Sequence, residues 1–269
     1  MMRRALLLWL LALALPAYAD ARLSVLVDVL RLPQIAGILR EEGLSSAEDL
    51  NTEMLNGQGG AGWHLQIETI YDSARIVEAV RSRLATELQG ETLEQVIDFF
   101  ASDLGGRIID LENSARQAIQ DPDIEGAARA RYAELADTAD TRLEMLRTFV
   151  ADGDMIERNV TTAMNSNYQF LRGLSEGGGL NMSEEEILSD VVGEIEVIRA
   201  DTTAWLYGYL LMAYSPLTDA ELQTYIDYGQ TPAGQAMNRA LFDGFGTAYQ
   251  DISYALGRAV ALNMLAEEL

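Results

Sequence analysis

The chain has 269 residues, 42 acidic against 19 basic, a formal net charge of −23 and no cysteine. So acidic a surface repels phosphate backbones and anionic headgroups, which argues against nucleic-acid binding and peripheral membrane attachment. With no cysteine there is no disulfide scaffold, no thiol nucleophile and no cysteine-ligated zinc, so the fold must hold by packing alone.

Arg3 and Arg4 precede an unbroken apolar run from Ala5 to Leu15, and Pro16 ends it. Ala17-Tyr18-Ala19 then supplies the small-x-small pattern of a signal-peptidase site. Residues 1–19 therefore read as a signal peptide cleaved after Ala19, with Asp20 as first mature residue and a periplasmic or secreted destination. The apolar run is shorter than the roughly 20 residues of a bilayer span. No transmembrane span is expected after cleavage.

Leu23, Val25, Leu26, Val29 and Leu30 have helical spacing, and Pro33 ends or kinks that helix. A second run reaches Gly43, placed to cap its C-terminus. Ser45-Ser46-Ala47-Glu48 offers a capping box for a short helix reaching about Leu55. Residues 56–62, NGQGGAG, read as a loop. Helical spacing resumes from Trp63, and Thr92 with Gln95 marks a further helix start. Asp121-Pro122-Asp123 is a break. Residues 124–150 then read as one polar helix with a thin apolar stripe, a bridge between halves.

Asp154 with Glu157 opens another helix, which stops in Gly177-Gly178-Gly179. Ser183-x-x-Glu186 is a capping box, with Met182 and Ile187 as its hydrophobic staple. The long helix that follows is apolar on all sides over Trp205 to Tyr214, as expected of a helix wrapped by others. Leu217 to Leu222 repeats staple and box, and Thr231 to about Met264 is helical throughout. No period-two run bounded by hairpin turns occurs. The expected fold is all-α.

One pattern occurs twice. Leu93 to Ile108, LEQVIDFFASDLGGRI, aligns with Leu222 to Met237, LQTYIDYGQTPAGQAM, at a constant offset of 129. The offset places Asp227 on Asp98, Tyr228 on Phe99, Thr231 on Ser102 and Gly234 on Gly105. Thr231 followed by Pro232 is a helix start inside a stretch that already reads as helix. The motif therefore reads as helix, tight kink, helix, with Gly229 free to take up the turn and Ser102 capping the first copy. A glycine three residues inside a helix costs roughly 0.5–1 kcal/mol against alanine. Its recurrence points to a backbone pressed against Gly105 and Gly234. The expected architecture is a helical bundle of two duplicated halves: 20–123, a bridging helix over 124–153, and 154–269.

Tyr228 with Thr231-Pro232-Ala233-Gly234 resembles the aromatic-x-x-Ser/Thr-Pro-x-Gly signature of the bacterial family called domain of unknown function 2059. The resemblance covers roughly Trp205 to Ser253, most clearly the C-terminal half. Gly229 stands where a second aromatic is expected, and the first copy has Asp103 in place of the proline. What the resemblance implies is an exported helical protein. It carries no catalytic residues over to this chain.

Little chemistry remains open. His64 is the only histidine, so no multi-histidine metal site can form. Asp121-x-Asp123-x-Glu125-Gly126 mimics the opening of a calcium loop, but Tyr132 stands where the bidentate glutamate belongs. No cofactor or metal site is expected. Asn159-Val160-Thr161 and Asn181-Met182-Ser183 are glycosylation sequons. The repeated Asp98 and Asp227 support one catalytic reading, a helical hydrolase or lyase with paired carboxylates facing each other across the halves. The alternative for each is a solvated helix face or a bond to the kinked backbone.

The main expectation is a non-catalytic binding or structural module of the cell envelope, with a protein or peptide partner. Its tyrosines concentrate in the last third. Trp205, Tyr209 and Met212 share one helix face, and Tyr207, Leu211 and Tyr214 another. Packing satisfies one face, and the other either lines a cleft or is core as well. Trp205, Tyr207 and Tyr214 are the candidate groove residues.

Overall fold

The computed structural model describes residues 20–267. The signal-peptide reading of residues 1–19 lies outside the described residues. Within them the structure is all-α, with no strand. A first helix, α1, covers 20–29. It is followed by α2 (Leu32–Met54), α3 (Gly60–Ile70), α4 (Ser73–Glu87), α5 (Glu91–Phe100) and α6 (Asp103–Ala118). Then come α7 (Pro122–Leu135), α8 (Thr141–Asp152), α9 (Met155–Glu176) and α10 (Glu184–Gly193). Last are α11 (Ile195–Ala213), α12 (Asp219–Gln230) and α13 (Pro232–Glu267).

Side-chain caps set most of these boundaries. Asp72, Asp121 and Asp140 accept from backbone N–H groups at the starts of α4, α7 and α8. Ser183 and Thr218 form full capping boxes with Glu186 and Glu221, as their spacing predicts. Pro33 sits in the first turn of α2, directly after Arg31 turns the chain at φ 50°.

Several boundaries differ from the sequence expectation. Gly43 does not cap α2, which runs on through Ser45 and Ser46 to Met54. A Cβ on Gly43 would lie 2.1 Å from the Tyr71 ring, so this glycine makes room for an aromatic. The stretch 124–150 is two helices, because Asp140 accepts from the Leu143 N–H and starts α8 afresh. Gly90, at φ 55°, precedes α5, and Thr92 forms no capping box. Gln95 bonds Glu91 on its own helix instead. Residues 60–62 of the expected loop belong to α3. The long helix expected after Ser183 breaks between Gly193 and Ile195. Gly229 stays helical in α12, and the extended backbone of Thr231, at ψ 156°, makes the turn.

At 36 residues α13 is the longest element, about 54 Å at 1.5 Å per residue. It lies against α9 on one side and α4 on another, and touches α2, α3, α5 and α12 as well. The α9 contact is close because glycines meet backbone reciprocally. A Cβ on Gly173 would fall 2.3 Å from the Tyr254 carbonyl oxygen, and one on Gly257 2.1 Å from that of Phe170.

Three apolar clusters fill the interior. The first joins α1 to α4, α5 and the start of α13, around Leu26, Leu84, Val96 and Ala240. The second joins α2, α3 and the far half of α13, around Trp63, Leu55 and Val260. The third lies among α6, α8, α11 and α12, around Ile108, Leu146, Tyr214 and Leu222. Under the 129-residue offset, α4–α5–α6 and α11–α12–α13 are corresponding trios. They interlace: α13 packs on α4, and α6 packs on α11.

Candidate functional site

The two signature copies have the same local geometry. Ser102 (φ −70°, ψ 161°) accepts from the Gly105 N–H at 3.1 Å and donates its hydroxyl to the Phe99 carbonyl at 2.6 Å. Thr231 (φ −69°, ψ 156°) accepts from the Gly234 N–H at 3.0 Å and donates to the Tyr228 carbonyl at 2.7 Å. One hydroxyl thus serves both an orphan donor of the new helix and an orphan carbonyl of the old one. A Cβ on Gly105 would stand 2.2 Å from the Phe99 oxygen, and one on Gly234 2.2 Å from the Tyr228 oxygen. Pro232 opens α13 without losing a bond, and Asp103 fills that position in α6.

The copies also meet. The rings of Phe99 and Tyr228, equivalent positions, stack with centroids 3.7 Å apart and planes 6° apart. Phe100 and Tyr225 flank that stack. Asp98 and Asp227, which precede the stacked rings, are both exposed, and Asp227 accepts from Gln223 on its own helix. Solvated carboxylates on helix faces lack the enclosed environment that acid–base work needs. His64 is exposed on α3, and Asp121 is a helix cap. Among the described residues no group of acidic or histidine side chains is arranged to hold a metal ion.

The polar centre of the molecule lies beside the stack. Glu112 is on α6, one turn beyond Ile108, and is half-buried. The Tyr214 hydroxyl donates to Glu112 Oε1 at 2.6 Å and the Tyr225 hydroxyl to the same oxygen at 3.2 Å. The Tyr209 hydroxyl donates to the Glu112 backbone carbonyl at 3.0 Å. No described residue brings a donor to Oε2. Burial raises the Glu112 pKa above the usual carboxyl value, against the lowering effect of the two tyrosine hydrogen bonds. Burial, and next the charge of Glu112, holds the Tyr214 and Tyr225 hydroxyls well above the phenol range, so both remain donors.

This cluster forms one wall of a cavity of about 340 Å³, in which Glu112 keeps part of its surface open. That volume is at the lower end of the range for small-molecule pockets. Apolar side chains of the turn before α2 and of α2, α8, α9, α11 and α13 make the rest, among them Leu30, Leu39, Phe149, Met155, Leu210 and Phe245. Two further polar groups stand in the wall. Asn113 is only 5% exposed, and its Nδ2 has no hydrogen-bond partner. Arg116 is fully engaged: it holds Glu42 through Nε and Nη2 at 2.7–3.1 Å and lies over the Trp205 ring at 5.1 Å.

The candidate groove residues divide. Trp205, stacked on Tyr209 at 5.2 Å, and Tyr214 line the cavity. Tyr207 points elsewhere and stacks on Tyr132 of α7 at 5.0 Å. Glu112 and Asn113 were not singled out by the sequence reading. Their signal was present but faint: they follow Ile108 and Ile109 by four residues, so two polar side chains occupy the apolar stripe of α6.

Residues 74–134 match the model of a family described as an uncharacterised protein conserved in bacteria, DUF2059. The match lies over the first signature copy and the Glu112 cluster, in the middle of the chain, whereas the sequence resemblance had placed it over the second copy. No curated protein and no solved structure matches the chain.

Proposed function

We propose, starting from the match of residues 74–134 to the DUF2059 family, that this chain is an exported, non-catalytic binding module whose cavity holds a small ligand. The observation that carries the reading is the cavity of about 340 Å³ with Glu112, Asn113, Tyr214 and Trp205 in its wall. An apolar chamber with a few convergent polar groups is the usual form of a small-molecule site. The expected protein or peptide partner fits less well, because the aromatic wall faces inward and Tyr207 and Tyr214 are buried.

Export rests on Arg3, Arg4, the apolar run and Ala17-Tyr18-Ala19. Among the described residues no helix is long and apolar enough to cross a membrane. The hydrolase or lyase alternative draws no support from Asp98 and Asp227, which are solvated.

Two measurements on one preparation test the proposal. Protein recovered from the bacterial envelope is expected to lack residues 1–19 by intact mass. Trp205 emission is expected to change saturably when an apolar dye is titrated in. A chain retaining Met1 refutes export, and absence of dye uptake refutes the cavity as a binding site.

A further inference from the structure

Resting on that reading, we infer that the cavity selects an uncharged amphiphile: an apolar body carrying one hydroxyl- or amide-type head, seated between Glu112 Oε2 and the Asn113 carboxamide. Two polar groups in the cavity wall lack a protein partner. Both tyrosine donors arrive at Oε1, which leaves Oε2 of this wall residue without a donor. Asn113 is 95% enclosed yet its Nδ2 bonds nothing. An amide left unsatisfied in the interior is destabilising, so a ligand that pairs it recovers that loss. A half-turn of the terminal torsion exchanges the donor and acceptor ends of a carboxamide. Together the two side chains accept one proton and donate another, which is the complement of a hydroxyl or an amide.

Charge argues against an ionic head. Arg116 and Glu42 neutralise each other, so neither is free to pair with a ligand ion. Arg116 lies one turn beyond Glu112 in the same wall and disfavours a cation. Burial raises the Glu112 pKa, so that carboxyl is a poor counter-charge for a cation, and Arg116, already held by Glu42, is none for an anion. An ion taken from water into so apolar a cavity without a free counter-charge loses hydration that nothing there replaces. The body of the ligand meets Leu30, Leu210, Leu241 and Phe245, and Trp205 reports its arrival.

The test is a headgroup series on the purified, unmodified protein. Decanol, decanamide, decanoate and decylammonium are titrated while tryptophan emission is followed, with calorimetry for stoichiometry. Decanol and decanamide are expected to bind saturably at one per chain, at least ten-fold more tightly than either ion. Asn113→Leu is expected to weaken decanol at least ten-fold, and Leu241→Trp, which fills the wall, to abolish binding. If decanoate or decylammonium binds as well as decanol, the uncharged-head inference is overturned while the cavity remains a binding site. If none of the four binds, both readings fall. Decanol binding that neither substitution changes places the site elsewhere and overturns the inference. Should Asn113→Leu not fold by circular dichroism, the series and Leu241→Trp still decide.

Discussion

Gly105 and Gly234 provide the sharpest test of what the repeated motif does. An alanine Cβ at either position would sit 2.2 Å from a carbonyl oxygen of the preceding helix. An ordinary carbon–oxygen approach is about 3.4 Å, so the two helices at each junction must part by roughly 1.2 Å. The obstacle is backbone, not a side chain that can swing away. Displacements of this kind cost about 1–3 kcal/mol, set against about 0.5–1 kcal/mol gained from replacing a helical glycine. Gly105→Ala and Gly234→Ala are each expected to destabilise by about 1–2 kcal/mol, lowering Tm by about 2–8 °C in a protein of this size. Gly37 and Gly126 are helical glycines at which an added Cβ would meet nothing within 4 Å. Their alanine variants are expected to gain about 0.5–1 kcal/mol. Thermal melts followed by circular dichroism measure all four. If the junction variants behave like Gly37→Ala, close backbone approach is not what keeps glycine there. If only one junction is sensitive, the two copies are not one device used twice.

Two further outcomes follow from the Glu112 cluster. Tyr214→Phe removes a 2.6 Å bond to Glu112 and is expected to cost about 1–3 kcal/mol; Tyr207→Phe, whose ring packs but bonds nothing, is expected to change stability by less than about 0.5 kcal/mol by chemical denaturation. Glu112→Gln keeps an acceptor for both tyrosines and removes the titration. Because the folded-state pKa is raised, the unfolded chain releases this proton first as pH rises. The Glu112 contribution is therefore fully present below its ordinary value of 4.5 and is lost as pH climbs through the folded value. The variant is expected to gain on the parent as pH rises from 4.5, and a flat or opposite difference in denaturation midpoints refutes the assignment. Glu186 and Glu221, lowered chiefly by backbone bonds at their caps, act in the opposite sense but identically in both proteins.

What the sequence made legible was local chemistry. The Ser183 and Thr218 boxes, the Ser102 and Thr231 caps and the two crowded glycines each depend on neighbours within a few positions, so spacing alone reveals them. Gly43 misled for the complementary reason. A glycine after a helical run looks like a cap, and only the distant Tyr71 ring explains why it is a glycine. The Glu112 cluster was illegible in the same way, because its three tyrosines lie 97, 102 and 113 positions away. Tyr214 drew notice as one of many aromatics, but nothing local tied it to a carboxyl. Trp205 and Tyr207 fall on different faces of one helix, but only neighbours from other segments show that one face meets the cavity and the other meets α7.

The interlacing of the trios also governs when the protein can finish folding. Arg83 on α4 reaches Thr247 on α13 across 164 positions. On a chain made from its N-terminus, the apolar face of α4, with Ile76, Val80 and Leu84, is covered only in part by α1, α2 and α5 until α13 has emerged. Closing so long a loop adds little to the equilibrium cost, since each doubling of length costs only about 0.6 kcal/mol. The penalty is one of time. A half-covered apolar helix waits for its last partner in the interval when unfinished chains are most prone to aggregate.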